Sequence, residues 1–249
     1  MRPFWTWLVL WAAGQFLGVG QAAEPVHSPT NSHVPLKHVL VTNLSVRLPS
    51  TSFNATKLRA AAEKELDDYR PLVTTNTYAD LGLMSVEDAT KLALTNPVVM
   101  HQVSLKDVQR VVYGRSTTLQ SEPQVWFPLH VDGQIRALLV MERSWFSWHG
   151  VIFGMPRMAQ DLATAQQLVV TNQTYTVSNI AIVKLEPAHF LALAFTSGDV
   201  LTFVPLRSWP DAGLSAGQPR PAGEVLPTVY PLLESAAEVS RRAKRPVAR

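Results

Sequence analysis

One short stretch of this chain combines aromatic, basic and acidic side chains that could hold a binding partner. Residues 142–149 read Glu-Arg-Ser-Trp-Phe-Ser-Trp-His, so three large rings lie beside an acid, a base and a histidine. Tryptophan and arginine are enriched among the residues that carry binding energy at protein interfaces. We therefore predict a surface for a ligand or partner, unless these rings close an open end of the core. The predicted members are Arg143, Trp145, Trp148, His149 and, on a preceding strand, Trp126.

Side chains that could catalyse a reaction are present, but their spacing matches no catalytic motif. Residues 114–118, Gly-Arg-Ser-Thr-Thr, begin like the turn that holds a serine hydrolase nucleophile and lack its final glycine. A zinc protease needs two histidines one helical turn apart, and no two histidines here are closer than five residues. The sequence predicts no catalytic residue, no metal ligand and no cofactor. A hydrolase site formed by histidines and acids that converge only in the folded chain remains the alternative.

Composition excludes several classes of chemistry. The chain contains no cysteine, which rules out thiol nucleophiles, thiolate metal sites and disulfides. Five basic residues fall in the last nine, whereas residues 24–240 hold 16 basic and 19 acidic residues. A near-neutral body is not typical of a nucleic-acid-binding domain. The tail is predicted to contact a polyanion or anionic lipid through Arg241, Arg242, Lys244 and Arg245, unless it is only a solvated end.

Residues 1–23 have the layout of a secretory signal peptide. A basic residue precedes a nearly uncharged apolar run, and Gly20 and Ala22 suit the positions before a signal peptidase cut. We predict an exported, periplasmic or extracellular protein, cleaved after Ala22 or Ala23; the absence of cysteine favours a bacterial periplasm. The alternative is an uncleaved anchor, because the run is just long enough to cross a bilayer. Residues 24–36, rich in proline and small polar side chains, are predicted to form a linker.

Hydrophobic periodicity predicts alternating strands and helices from residue 37 onward. Asn54 is placed to cap a first helix, and Ser104 with Asp107 has the spacing of a capping box. Residues 115–123 are predicted to form a polar loop. Strands are predicted at 37–48, 98–103, 125–131, 135–141, 150–153, 180–185, 189–196 and 200–206. Helices are predicted at 55–70, 85–96, 105–112, 155–169 and 230–242.

The strongest local signal is the Asp132-Gly133 pair between two apolar arms. Both residues tolerate the positive φ angles that a two-residue hairpin requires. The second arm is apolar on both faces, since Leu139 alternates with Leu138 and Val140. A strand of this composition needs cover on both sides, so we predict a central strand in which Leu139 is fully buried.

From residue 125 the order is three strands, one helix and three strands. This order predicts an α+β fold, with a curved antiparallel sheet packed on helices. By analogy only, a long helix on such a sheet is similar to cystatin-like folds, which host inhibitors, propeptide-like modules and small-ligand pockets, so the similarity implies no one function. We predict a single domain at 37–206, a Pro/Gly-rich linker or surface strap at 207–228, and a helix with the basic tail at 229–249.

These observations together predict an exported, non-enzymatic module that binds a peptide, a protein or an envelope polymer, and that does not bind nucleic acid. Two alternatives stay open. One is the hydrolase with an unrecognised site of histidines and acids. The other is a lipid-interacting envelope protein, whose membrane contact would come only through the basic tail or a retained signal anchor.

Overall fold

Strands and helices alternate along the residues that the computed structural model describes. These are 45–50, 53–145, 147–172, 175–186, 188 and 190–243, with side chains described up to residue 239, and all belong to one compact unit. The strands are β1 (Val46–Arg47), β2 (Ala93–Leu94), β3 (Val98–Val103), β4 (Thr117–Thr118), β5 (Gln120–Val131), β6 (Gln134–Arg143), β7 (Trp148–Gly154), β8 (Val177–Leu185), β9 (Phe190–Ser197), β10 (Val200–Pro205) and β11 (Arg220–Pro221). The helices are α1 (Ala55–Tyr69), α2 (Asp88–Lys91), α3 (Leu105–Val112), α4 (Pro156–Thr171) and α5 (Ala222–Ala243).

Most of the strands form one large mixed sheet, and the predicted α+β class is confirmed. The strand order is β11-β10-β9-β8-β3-β5-β6-β7, and β2 also pairs with β5. Neighbours are antiparallel except β3 and β8, which run parallel with Val99 opposite Ala181. β3 therefore joins two antiparallel halves. Separately, β1 and β4 form a small parallel pair.

Helices cover both faces of the large sheet. On one face, Leu162 of α4 packs with Leu138 and Val140 of β6. On the other face, Leu139 and Met141 of the same strand pack in the cluster under α1. Leu139 is fully buried, as predicted; β6 is paired on both sides, but it lies next to the edge strand β7 and not at the centre of the sheet. α3 and α5 pack over the β9–β10 half of the sheet.

Local capping and turn chemistry form as predicted. Asn54 Oδ1 accepts a hydrogen bond from the Lys57 amide at 2.9 Å and caps α1. At the start of α3, the Ser104 hydroxyl and the Asp107 carboxylate cap each other's backbone amides. The hairpin between β5 and β6 turns at Asp132 and Gly133, whose φ angles are 50° and 79°. These contacts are local in the sequence, so residue type alone was sufficient to predict them.

The structure differs from the predictions in three elements. The predicted loop at 115–123 contains β4 and the start of β5, which pair with distant strands. The predicted helix at 85–96 is only the four-residue α2, and the Asp88 carboxylate accepts hydrogen bonds from the backbone amides of Met84 and Ser85.

The third difference lies in the predicted linker at 207–228. α5 begins at Ala222 and continues through Pro227 and Pro231. Its apolar stripe is buried against the sheet, and this burial offsets the helix hydrogen bonds that the prolines remove. Leu214 is also buried in the same cluster. The segment therefore packs on the domain, in the manner of the strap alternative.

Candidate partner-binding edge

β7 forms one edge of the large sheet. It pairs with β6, and no other strand in the described part of the chain pairs with it. Its sequence, Trp-His-Gly-Val-Ile-Phe-Gly, contains neither the lysine nor the proline with which natural proteins protect an edge. A shift in register leaves Val151 as an extra residue in a bulge. An extended strand of this length offers about 23 Å of backbone for pairing.

Large apolar side chains are exposed along this edge and at its start. Val151 is 39% and Ile152 is 42% exposed, and Trp145, in the connection between β6 and β7, is 94% exposed. Val151 and Ile152 are neighbours on β7, whereas Trp145 lies in the turn before the strand begins. We call Arg143, Trp145, Val151 and Ile152 the β7-edge surface.

The structure separates the predicted site residues into exposed and packed groups. Arg143 is exposed at the end of β6, and it lies opposite Trp148. Trp148 is half-buried and meets the ring of Phe53 edge-to-face, with centroids 5.9 Å apart. His149 is half-buried opposite Glu142. Arg143, Trp148 and His149 therefore flank the β6–β7 connection, and Trp145 is an exposed aromatic residue within it.

Trp126 does not belong to this exposed group. It is 4% exposed and packs in the cluster under α4, and its indole Nε1 has no hydrogen-bond partner among the described residues. The sequence placed Trp126 near Trp145 because Trp126 lies on the hairpin arm that pairs with the strand before the β6–β7 connection. Its ring instead faces α4, and helices cover both faces of the sheet here, so β5 buries side chains on either face.

The β6–β7 connection is closed by its own hydrogen bonds. The Ser144 amide donates to the Ser147 carbonyl at 2.9 Å, and the Ser144 hydroxyl donates to the same carbonyl at 3.2 Å. This turn holds Trp145 away from the core. Arg143 forms no ion pair with a described residue, so its guanidinium is available to a partner.

α1 packs against one face of β7. The ring of Tyr69 stacks on Phe153 with centroids 5.1 Å apart and planes 6° from parallel. The Tyr69 hydroxyl donates to the carbonyl of Gly150 at 3.3 Å. Burial, and then the charge of Glu65, raises the pKa of this hydroxyl above its ordinary value. The edge strand is thus a supported element, which suits a preformed binding surface.

The histidines do not form hydrogen-bonded catalytic pairs among the described residues. Neither His130 nor His149 bonds to a serine or an aspartate there, and Nδ1 of His101 and of His130 is buried without a partner. Burial lowers the pKa of His101 below its ordinary value, and a hydrogen bond with the Gln120 backbone opposes that shift. The described residues hold no group of three or more His, Asp or Glu side chains able to bind a metal ion. His189 lies outside the described residues.

Several predictions fall at the chain ends. The backbone of Arg241 and Arg242 continues α5, but their side chains, like Lys244 and Arg245, lie outside the described residues. The signal peptide and the linker at 24–36 also lie outside them. None of the helices in the described ranges has the length and hydropathy to cross a membrane.

Comparison with known proteins gives no relative for this chain. No family model, no curated protein and no solved structure matches it.

Proposed function

We propose that this protein is an exported, non-enzymatic binding module that accepts an extended peptide segment of another protein as an added strand on β7. The observation that carries the proposal is the free edge of β7 beside the exposed indole of Trp145. In strand addition, backbone hydrogen bonds supply affinity and pockets for alternate side chains supply specificity. Such an edge recognises a main chain, which favours a peptide or protein over an envelope polymer.

The β7-edge surface indicates the kind of peptide that would fit. Ile152 lies opposite Val140, so it shares the α4 face of the sheet and would contact alternate side chains of an added strand. We expect apolar, β-branched residues at those peptide positions. At the other end of β7, Arg143 and Trp145 would receive an acidic and an aromatic or apolar side chain, because arginine binds carboxylates and tryptophan offers a large apolar face.

The export part of the proposal rests on the signal pattern of residues 1–23 and on the absence of cysteine. An exported partner with an extended segment would meet this surface in the same compartment. The two parts are independent, because peptide binding can be measured on purified protein whatever its route.

Selection of random 12-residue peptides displayed on phage, with the full chain as bait, tests the binding claim. For a selected peptide we expect Trp145→Ala to weaken binding at least about 30-fold, the loss of a hot spot worth ~2 kcal/mol. Val151→Lys should weaken it similarly, since an edge lysine blocks strand addition.

Matched controls separate this site from general surface effects. Tyr113→Ala removes another exposed ring, 72% exposed, and Val170→Lys places a charge at an exposed valine of α4. Both should bind the peptide as the unmodified protein does. Failure to select any saturable peptide, or equal losses in the controls, contradicts the proposal. Pairing of two copies through β7 would be seen as a dimer by ultracentrifugation, and it would also contradict a peptide role.

A further inference from the structure

A second surface, distinct from the β7-edge surface, brings basic and hydroxyl side chains together. It is a polar hollow of about 460 Å³ beside the small parallel pair of β1 and β4. It is a shallow hollow, open to solvent and lined mainly by polar atoms. The hollow is lined by Ser45, Arg47, Arg110, Ser116, Thr117 and Thr118.

Strand pairing brings the two halves of this hollow together from distant parts of the chain. In register, Val46 lies opposite Thr117 and Arg47 lies opposite Thr118. Val46 and Thr117 are buried, and Arg47 and Thr118 are exposed. Because side chains alternate along a strand, the residues on either side of the buried pair share the outer face.

α3 adds the second arginine. The Thr117 hydroxyl donates to Asp107 Oδ1 at 2.9 Å, and this buried bond ties β4 to the first turn of α3. Arg110 follows Asp107 by three residues, so it lies on the neighbouring part of the helix surface. Asp107 is thus a positioning residue: Ser104 and Thr117 occupy its oxygens, and it does not line the hollow.

Some polar groups of the hollow keep protons to donate, whereas the hydroxyl protons of Ser45 and Thr117 are used on Ser116 Oγ and Asp107 Oδ1. Ser116 Oγ accepts hydrogen bonds from the Ser45 amide at 3.3 Å and from the Ser45 hydroxyl at 3.1 Å, so its own proton is free for another acceptor. Arg47 and Arg110 form no ion pair with a described residue, and no carboxylate is among the lining residues.

We propose that this hollow is a binding site for a phosphate group. Two guanidinium groups with hydroxyl donors beside them match an anion with several oxygens, and arginine binds phosphate through two parallel hydrogen bonds. The hollow has room for more than the anion, so the phosphate would belong to a larger molecule. A soluble phosphate ester and a phospholipid headgroup share this chemistry. The site does not depend on peptide binding at β7.

Isothermal titration of the full chain with inorganic phosphate, at constant ionic strength set by chloride, tests the site. We expect saturable binding at one site, weakened at least about tenfold by either Arg47→Gln or Arg110→Gln, as for the loss of a charge-assisted hydrogen bond. Ser116→Ala should weaken it by a smaller factor. The matched control is Arg115→Gln, which removes an equal charge from an exposed residue that does not line the hollow.

A second arm identifies the source of the phosphate. Vesicles of phosphatidylglycerol in phosphatidylcholine are sedimented with the protein and with the same four variants. If the protein binds vesicles and the Arg47 and Arg110 variants bind them less, the site recognises a phospholipid headgroup. If the protein binds inorganic phosphate but not vesicles, the site recognises a soluble phosphate ester. No saturable binding in either arm overturns the proposal. An effect of Arg115→Gln equal to that of substituting either lining arginine would also overturn the proposal, because it would show only general electrostatic attraction. Unchanged melting temperatures confirm that the variants are folded.

Discussion

Gly150 lies so close to Tyr69 that a Cβ atom at this position would stand 3.0 Å from Tyr69 Cε2. The same Cβ would stand 3.1 Å from Glu65 Oε2. Both neighbours belong to α1, so this helix packs directly on the edge strand. The contact supports β7, which pairs with a single strand in the described part of the chain.

Gly150→Ala should therefore destabilise the fold. A methyl group in this contact must displace Tyr69 or bend β7, and overpacking of this kind costs about 1–3 kcal/mol. The matched control is Gly223→Ala in α5, where an added Cβ meets nothing within 4 Å. The control should leave stability unchanged or raise it by up to about 1 kcal/mol, since alanine favours a helix. Urea denaturation measures both, and equal midpoints for the two variants would contradict the contact.

The two tryptophans Trp145 and Trp126 should respond oppositely to truncation. Trp145→Ala should change the free energy of unfolding by no more than about 0.5 kcal/mol, because the ring is exposed. Trp126→Ala should cost about 3–5 kcal/mol, because it leaves a cavity under α4. Chemical denaturation of each variant checks this order. A large loss for Trp145→Ala would show that its ring is part of the core.

His101 should make stability depend on pH. Burial lowers the pKa of its imidazole in the folded protein below the ordinary 6.5. As pH falls below 6.5, the unfolded chain binds a proton that the folded protein does not, so the free energy of unfolding falls by up to about 1.4 kcal/mol per pH unit. Denaturation between pH 5 and 7.5 should show a steeper slope for the unmodified protein than for His101→Gln. Parallel curves would contradict the burial of a neutral imidazole.

Export predicts a processed N-terminus. Mass spectrometry of protein recovered from the producing cells should give a chain that begins at Ala23 or Glu24, since Gly20 and Ala22 suit signal peptidase. A chain that keeps Met1, or one found only in membranes, would contradict cleavage and favour the anchor.

The elements that the sequence predicted well are those specified by neighbouring residues. Asn54 and the Ser104–Asp107 pair cap helices within one turn, and Asp132-Gly133 fixes its hairpin by backbone conformation. Leu139 belongs to the same group, because an apolar run on both faces requires cover.

The elements that the sequence did not predict depend on contacts between residues that lie far apart in the chain. The hydrogen bond from Ser45 to Ser116 spans 71 positions, and the polar residues around Ser116 carry no sign of a strand. Pro227 pointed to a linker, and only the apolar surface that α5 covers offsets the cost of Pro227 and Pro231 within that helix. For the site, the residues of the β6–β7 connection were identified, but sequence could not distinguish the exposed Trp145 from the packed Trp148. Nor could it show that Val151 and Ile152 lie at a sheet edge.

Amide hydrogen exchange along β7, measured by NMR with and without a selected peptide, tests strand addition most directly. A peptide strand would hydrogen-bond to the outward backbone groups of Trp148–Gly154, because an added strand pairs with the free side of an edge. The account predicts that alternate amides in this segment exchange more slowly when the peptide is bound, and that Val151→Lys abolishes the change. Protection confined to another surface, or none in β7 at saturating peptide, would contradict it.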